Sequence, residues 1–223
     1  EEYQCGLTVR DCPDLTNEIC QVVEERYKKL PKKYQNKNRE IPISVKTRVG
    51  YEQPITGEWI KNILETNPAA IALHGRTLRQ AYTGQASWEE IAIAGEIIKK
   101  HDSEIVFLGN GDVNNYEQAL EKIEEYNVDG VLIGRATFGN PWSLNSEKAK
   151  GNIEERATIA LEHARLFEET YKAKENFKFL PMRKHLTWYI KGFPNASEIR
   201  SELVRTENSE QVKEILEKHK LLV

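Results

Sequence analysis

Four short apolar runs, each ending in polar chemistry, constrain this chain more than any other feature. They are IPISVKTR (41–48), AAIALHGR (69–76), EIVFLGNGD (104–112) and DGVLIGRA (129–136). Each is too short for a helix and rich in β-branched residues, so each predicts a strand buried on both faces. Helical patterns at 56–66, 88–100 and 115–126 lie between them, and that alternation predicts βαβ units and a parallel sheet. A further helical period covers 14–30, with Leu15, Ile19, Val22, Val23 and Leu30 as its apolar positions. Residues 31–40 form a polar, basic connector.

Polar residues fall at the same end of every run. Lys46 and Arg48, His74 and Arg76, Asn110 and Asp112, and Arg135 all follow the apolar stretch rather than precede it. Barrels of the α/β type build active sites from the C-terminal ends of their strands, whereas open doubly wound sheets use that edge only near the switch point. Four consecutive strands so equipped predict a (β/α)8 TIM barrel, here about its second half. After Trp142 the pattern turns helical, at 153–171, 181–191, 196–205 and 209–219, which predicts a small all-α C-terminal domain. The expected division is 1–146 and 151–223. A whole barrel takes roughly 250 residues, so on the order of 120 are expected upstream. The start at Glu1 rather than Met agrees with that. Half a barrel also leaves two parallel edges that need cover.

Two glycine-containing strand ends suggest an anion site. GNGD (109–112) and GRA (134–136) let the backbone approach a ligand and offer N–H groups to it. Barrels often hold phosphate after their seventh and eighth strands, which nominates Gly111, Gly134 and Arg135, with Arg135 adding a charge-assisted contact. Lys46 offers a cation to developing negative charge on a flavin or enolate-like group. His74 is a candidate donor, or an acid or base near neutral pH.

Charge is distributed unevenly. The formal net charge is −3, yet residues 26–48 carry nine Lys or Arg against Glu40 alone. A basic stripe on an otherwise acidic chain fits a polyanionic partner. Cys5, Cys12 and Cys20 are odd in number and lack metal-ligand spacing, so neither a disulfide framework nor a metal site is expected. No run approaches the roughly 18 apolar residues of a membrane span. No signal peptide is visible, and the expected compartment is the cytoplasm.

The segments VKTRVGY, HGRTLRQAYTGQASW, GNGDV, GVLIGRATFGNPW and RKHLTWYI, in this order and spacing, resemble the tRNA-dihydrouridine synthases. The resemblance runs from about residue 6 to 205. It implies an FMN-dependent barrel with a helical domain that helps hold tRNA, reducing the C5=C6 bond of particular uridines with NADPH as reductant. It carries flavin contacts onto Lys46, His74, Asn110, Gly111, Asp112, Gly134 and Arg135. Arg76, Arg79, Arg183 and Lys184, with the basic 28–39 stretch, are the candidate tRNA contacts, since RNA affinity rests largely on phosphate neutralisation. The target base has to leave its stack.

The chain departs from the family at the acid. A cysteine in a Gly-Cys-Pro loop serves there in the family, and no such triplet occurs here. Cys12-Pro13 is the nearest imitation but introduces the helix that follows that loop, and Cys5 lies about at the loop's tail without the flanking residues, so the catalytic residue is unassigned and expected upstream of Glu1. The piece alone is expected to be inactive. One alternative is a non-catalytic tRNA-binding remnant, which has no need of Lys46, GNGD and a rim GR together. Another is a different FMN or sugar-phosphate barrel, dihydroorotate dehydrogenase-like, which leaves HGRTLRQAYTG and the helical tail unexplained.

Overall fold

All four apolar runs become parallel strands. In a computed structural model of the chain, which describes residues 15–28, 42–148 and 150–222, they are β1 (Ser44–Arg48), β2 (Ala70–His74), β3 (Val106–Asn110) and β4 (Gly130–Leu132). They lie side by side in chain order. The register pairs Arg48 with His74 and His74 with Asn110. Helices α1 (Leu15–Lys28), α2 (Thr56–Leu64), α3 (Trp88–His101) and α4 (Tyr116–Tyr126) alternate with the strands. The α/β class and the parallel sheet are as the sequence predicts.

Strand periodicity separates the sheet's two faces. Ile71, Leu73 and Phe107 point to one face and are wholly buried against Ile60, Ile63, Ile91, Ala94 and Ile98 of α2 and α3. Gly95 brings α3 close there, for a Cβ on it would lie 3.3 Å from the Phe107 ring. Ser44, Lys46, Arg48, Ala70, Ala72, His74, Val106, Leu108 and Asn110 belong to the opposite face. That face is open near its N-terminal edge, where Val106 is 44% exposed. Ser87 caps α3 by accepting from Glu90 N, and basic Lys99 and Lys100 close its last turn, in keeping with the helix dipole.

The chain divides into two compact units, 1–113 with 117–133, and 114–116 with 134–223. The second unit's regular elements, among the described residues, are 3-10 turns at Arg135–Thr137 and Pro141–Leu144 followed by α5 (Ile153–Tyr171), α6 (Leu180–Tyr189), α7 (Ala196–Leu203) and α8 (Ser209–Lys218). A capping box between Asn152 and Glu155 starts α5. Small residues Ala157, Ala160 and Ala164 let α5 approach a core of Met182, Leu186, Ile190, Leu203, Val212 and Leu216. Phe138 stacks on Trp188 with ring centroids 4.1 Å apart.

Two expectations need correction, and a third falls outside the described residues. The fourth strand ends at Leu132, not Ala136, because Gly134 takes φ −104° and ψ −96°, outside extended space, and Arg135 opens a 3-10 turn. GRA therefore follows a strand rather than completing one. On α1, Cys20 is buried, but Val22 and Val23 are each about half exposed, so the expected apolar stripe is only partly covered. Cys5, Cys12 and the connector at 31–40 lie outside the described residues.

Candidate active site

Register and periodicity bring three strand-end side chains into one row. Arg48, His74 and Asn110 occupy adjacent positions on neighbouring strands and share the sheet face away from the helices. Lys46 sits one pleat below Arg48, and its Nζ donates to Asn110 Oδ1 at 3.3 Å. Asn110 is oriented from its other side, its Nδ2 donating to Leu132 O at 2.8 Å. Those bonds hold an amide between two strands and aim a lysine along the rim.

The row is strongly cationic. Burial, then the neighbouring Arg48 guanidinium, lowers the Lys46 pKa. Burial also lowers that of Arg48, opposed by Tyr82 and reinforced by Arg76. His74 is 9% exposed. Burial first, then Arg48, Lys46 and Arg76, push its pKa down to about 4. Near neutral pH the imidazole is therefore uncharged, with one ring N–H to donate and one ring nitrogen to accept.

Arg76 differs from its expected role. It is 2% exposed, with Nη2 donating to Asp112 Oδ2 at 2.7 Å and to Gly84 O at 2.6 Å, and Nε donating to Thr83 O at 3.2 Å. Its guanidinium faces its own chain, so the residue scaffolds the 77–84 loop instead of offering a surface charge to tRNA. Nη1 is buried without an acceptor among the described residues. Asp112 also accepts from Ala86 N at 2.8 Å, so its carboxylate ties β3's end to the loop. Burying a guanidinium needs such a counter-charge.

Backbone geometry explains the GNGD turn. Gly111 has φ +139°, a region that side chains rarely enter, and a Cβ there would collide with Ala86 and lie 3.3 Å from His74 Cδ2. Gly109 is required by contact, because the Trp88 ring would lie 2.7 Å from its Cβ. Trp88 Nε1 donates to Gly111 O at 3.0 Å, an anchor that sequence reasoning left without a role. Arg48's role was also missed: its Nη1 donates to Thr77 O and Ala81 O at 2.9 and 3.2 Å. Arg48 and Trp88 both lie within the quoted motif segments, but their acceptors are backbone oxygens, which residue types do not announce.

Arg79 is 71% exposed and pairs with Glu52 at 2.6 Å, which offsets its charge. Gly134 and Arg135 are exposed and belong to the second unit. Within that unit, half-buried Arg183 donates from Nε to Thr206 O at 2.8 Å. Lys184 is exposed, its Nζ 5.9 Å from the Trp188 ring centroid. Among the described residues no cluster of three or more His, Cys, Asp or Glu could hold a metal ion. Among them, too, no helix is long and apolar enough to cross a membrane.

Chemically, the rim is a set of fixed donors in which, among the described residues, the cations Lys46 and Arg48 face no paired carboxylate. Lys46 and Arg48 contact neutral oxygens, while Arg76 is matched by Asp112. Such a row suits an anionic or electron-rich ligand approached by the backbone at Gly111.

Comparison with known proteins agrees with the motifs. The family model for dihydrouridine synthase (Dus) matches residues 13–222. A probable tRNA-dihydrouridine synthase of Rickettsia bellii is 33% identical over 171 residues, covering 72% of this chain and 50% of its own length. Proteins of the same description from Aquifex aeolicus and Staphylococcus aureus (strain MRSA252) are 30% and 31% identical over 213 and 217 residues. They cover 94% and 95% of this chain, and 62% and 60% of their own lengths. The chain thus spans half to three-fifths of these curated relatives, and with the family model matched along nearly all of it, it belongs to the dihydrouridine synthase family.

Proposed function

We propose that this chain is the C-terminal portion of an FMN-dependent tRNA-dihydrouridine synthase, which reduces the C5=C6 bond of particular uridines with NADPH as the ultimate reductant. The observation that carries the reading is the cationic row Lys46, Arg48, His74 and Asn110 at the C-terminal edge of a parallel sheet. Its open face, with Val106 44% exposed, fits the interior wall of a half barrel.

The residues present suit FMN. Arg76 Nη1 is a buried donor that an acceptor oxygen would satisfy, and Gly111 removes the side chain that would block close approach. Lys46, His74 and the Asn110-Gly111-Asp112 turn are the residues of the first unit assigned to holding it; Gly134 and Arg135 are the anion candidates of the second unit taken by itself. Bound at the rim and reduced by NADPH, FMN would supply hydride chemistry toward C6 of the uracil.

This chain's side chains bind and orient. Lys46, steadied by Asn110, provides a fixed positive charge where negative charge accumulates. His74 is neutral and donates a hydrogen bond without adding a cation. The Asp112–Arg76 pair ties the loop to the end of β3. Protonation at C5 needs an acid that none of these residues supplies. In the second unit, Lys184 is the exposed cation assigned to tRNA phosphate, and cytoplasmic tRNA is the substrate this reading requires.

The test is dihydrouridine formation in unmodified tRNA by the complete chain with its upstream region, alongside its Lys46→Met variant. The complete chain is expected to form the product and the variant to lose most of its rate. A complete, flavin-loaded chain that leaves every uridine intact refutes the proposal.

A further inference from the structure

The segment joining β2 to α3, residues 75–87, is held along its whole course. Gly75 N donates to Asn110 O at 3.0 Å and Ser87 N to Gly75 O at 2.6 Å, which closes its base. Leu78 N and Arg79 N donate to Gly50 O and Tyr51 O, each at 2.9 Å, which lays it along residues 49–55. Arg48 holds Thr77 O and Ala81 O from one side, and Arg76 holds Thr83 O and Gly84 O from the other.

So many bonds on one loop would ordinarily serve to bury its apolar side chains. Here they remain in solvent. Tyr82 is 66% exposed, Leu78 39%, and Tyr51, on the segment alongside, 37%. Ala81, just before Tyr82, even adopts φ +49°, a left-handed conformation uncommon outside glycine. The backbone is ordered and the aromatic surface is left open, which is the arrangement of a preformed binding plate.

Charge indicates what the plate takes. Among the described residues Lys46 and Arg48 donate to neutral oxygens and pair with no carboxylate, so the strand ends beside the loop present positive charge. An exposed aromatic ring beside those cations fits an unpaired nucleotide, with its base on the ring and its phosphate toward the cations. The geometry points to residues 77–83, with Tyr82 as the stacking residue and Arg48 as the positioning residue, as a platform for an unpaired RNA nucleotide flanking the one that enters the site. The flanking position rests on the proposed function; the nucleotide contact does not.

The experiment uses the complete, flavin-loaded chain and its Tyr82→Phe, Tyr82→Leu and Tyr82→Ala variants. Affinity for a fluorescent, unstructured oligouridine is measured by anisotropy, and kcat and KM are measured on unmodified tRNA. Flavin absorbance and melting temperature report the fold. Tyr82→Phe, which keeps the ring, is expected to bind within about twofold of the parent. Tyr82→Leu and Tyr82→Ala are expected to lose about tenfold in oligouridine affinity, with KM rising in step and kcat within about twofold. Leucine or alanine variants that bind as tightly as the parent overturn the platform, and so does a phenylalanine variant as weak as alanine. A parent chain that never modifies tRNA, with the Tyr82 dependence intact, sinks the proposed function and leaves the nucleotide contact standing. An active parent with no Tyr82 dependence does the reverse.

Discussion

Removing the Asp112 carboxylate strands a buried cation, and the structure sets the size of the effect. Arg76 is 2% exposed and its other acceptors, Thr83 O and Gly84 O, are neutral. Breaking a buried pair from one side costs about 3–5 kcal/mol. Asp112 is 34% exposed, so water screens the pair on one side and the lower end applies. Its φ of +55° adds about 1 kcal/mol when alanine replaces it, whereas asparagine tolerates that region. Asp112→Ala should therefore cost about 3–4 kcal/mol. Asp112→Asn, which keeps a neutral acceptor for Ala86 N–H or for Arg76, should cost about 2 kcal/mol. Hydrogen exchange of the β2 and β3 amides is the assay, with α5 amides of the second unit as internal reference. A loss of 3 kcal/mol corresponds to about 150-fold faster exchange at the strands. If both variants accelerate β2 and β3 by less than about fivefold, Arg76 does not depend on Asp112 for its charge compensation, and the scaffold argument fails.

His74 titrates at about 4 in the fold against 6.5 free, so between those values the unfolded chain binds the extra proton and stability rises with pH. Above about pH 7 this contribution is flat; His74→Gln should remove the slope, and an imidazole NMR midpoint near 6.5 in the folded chain would contradict it. Gly111→Ala should destabilise the first unit by at least about 3 kcal/mol in urea unfolding, because strain at φ +139° adds to the clash with Ala86. Arg183→Ala should lower the stability of the second unit by about 1–2 kcal/mol through loss of the Thr206 carbonyl bond, whereas Lys184→Ala should leave its melting temperature unchanged. Lys184→Ala should still weaken tRNA binding and reduce its salt dependence by about one phosphate contact, read by affinity at several salt concentrations.

Periodicity made the scaffold legible. The observed spans of runs such as IALH and VFLG fall inside the predicted ones, but burial on both faces does not hold: Ile71, Leu73 and Phe107 are wholly buried against the helices, whereas Val106 on the other face is 44% exposed. Strand ends were harder. The run DGVLIGRA looks uniform, yet the backbone at Gly134 leaves the extended region, and nothing in residue type announces those angles. In the candidate site, Lys46, His74 and Asn110 could be read as rim residues from their position alone. Arg76 could not be read correctly: an arginine in a polar loop looks like a surface charge until the carbonyls of 83 and 84 and the Asp112 carboxylate are seen to wrap it. Arg48 escaped for the same reason, because its acceptors are backbone oxygens about 30 residues away, which side-chain patterns do not encode.

Strand order that follows chain order has a consequence for how the first unit is made. Each strand pairs with the next one along the chain, Ser44 with Ala70, Ala70 with Val106 and Leu108 with Gly130. Every closure spans only about 20–40 residues, including the crossover helix, so the loop entropy grows little from one step to the next. On a ribosome, where the N-terminal side emerges first, β1 can template β2, and β2 can template β3, before β4 has been synthesised. Arg48 and His74 would then be neighbours before Asn110 exists, and Arg76, just past the end of β2, waits for its counter-charge until the Asp112 carboxylate just past the end of β3 arrives.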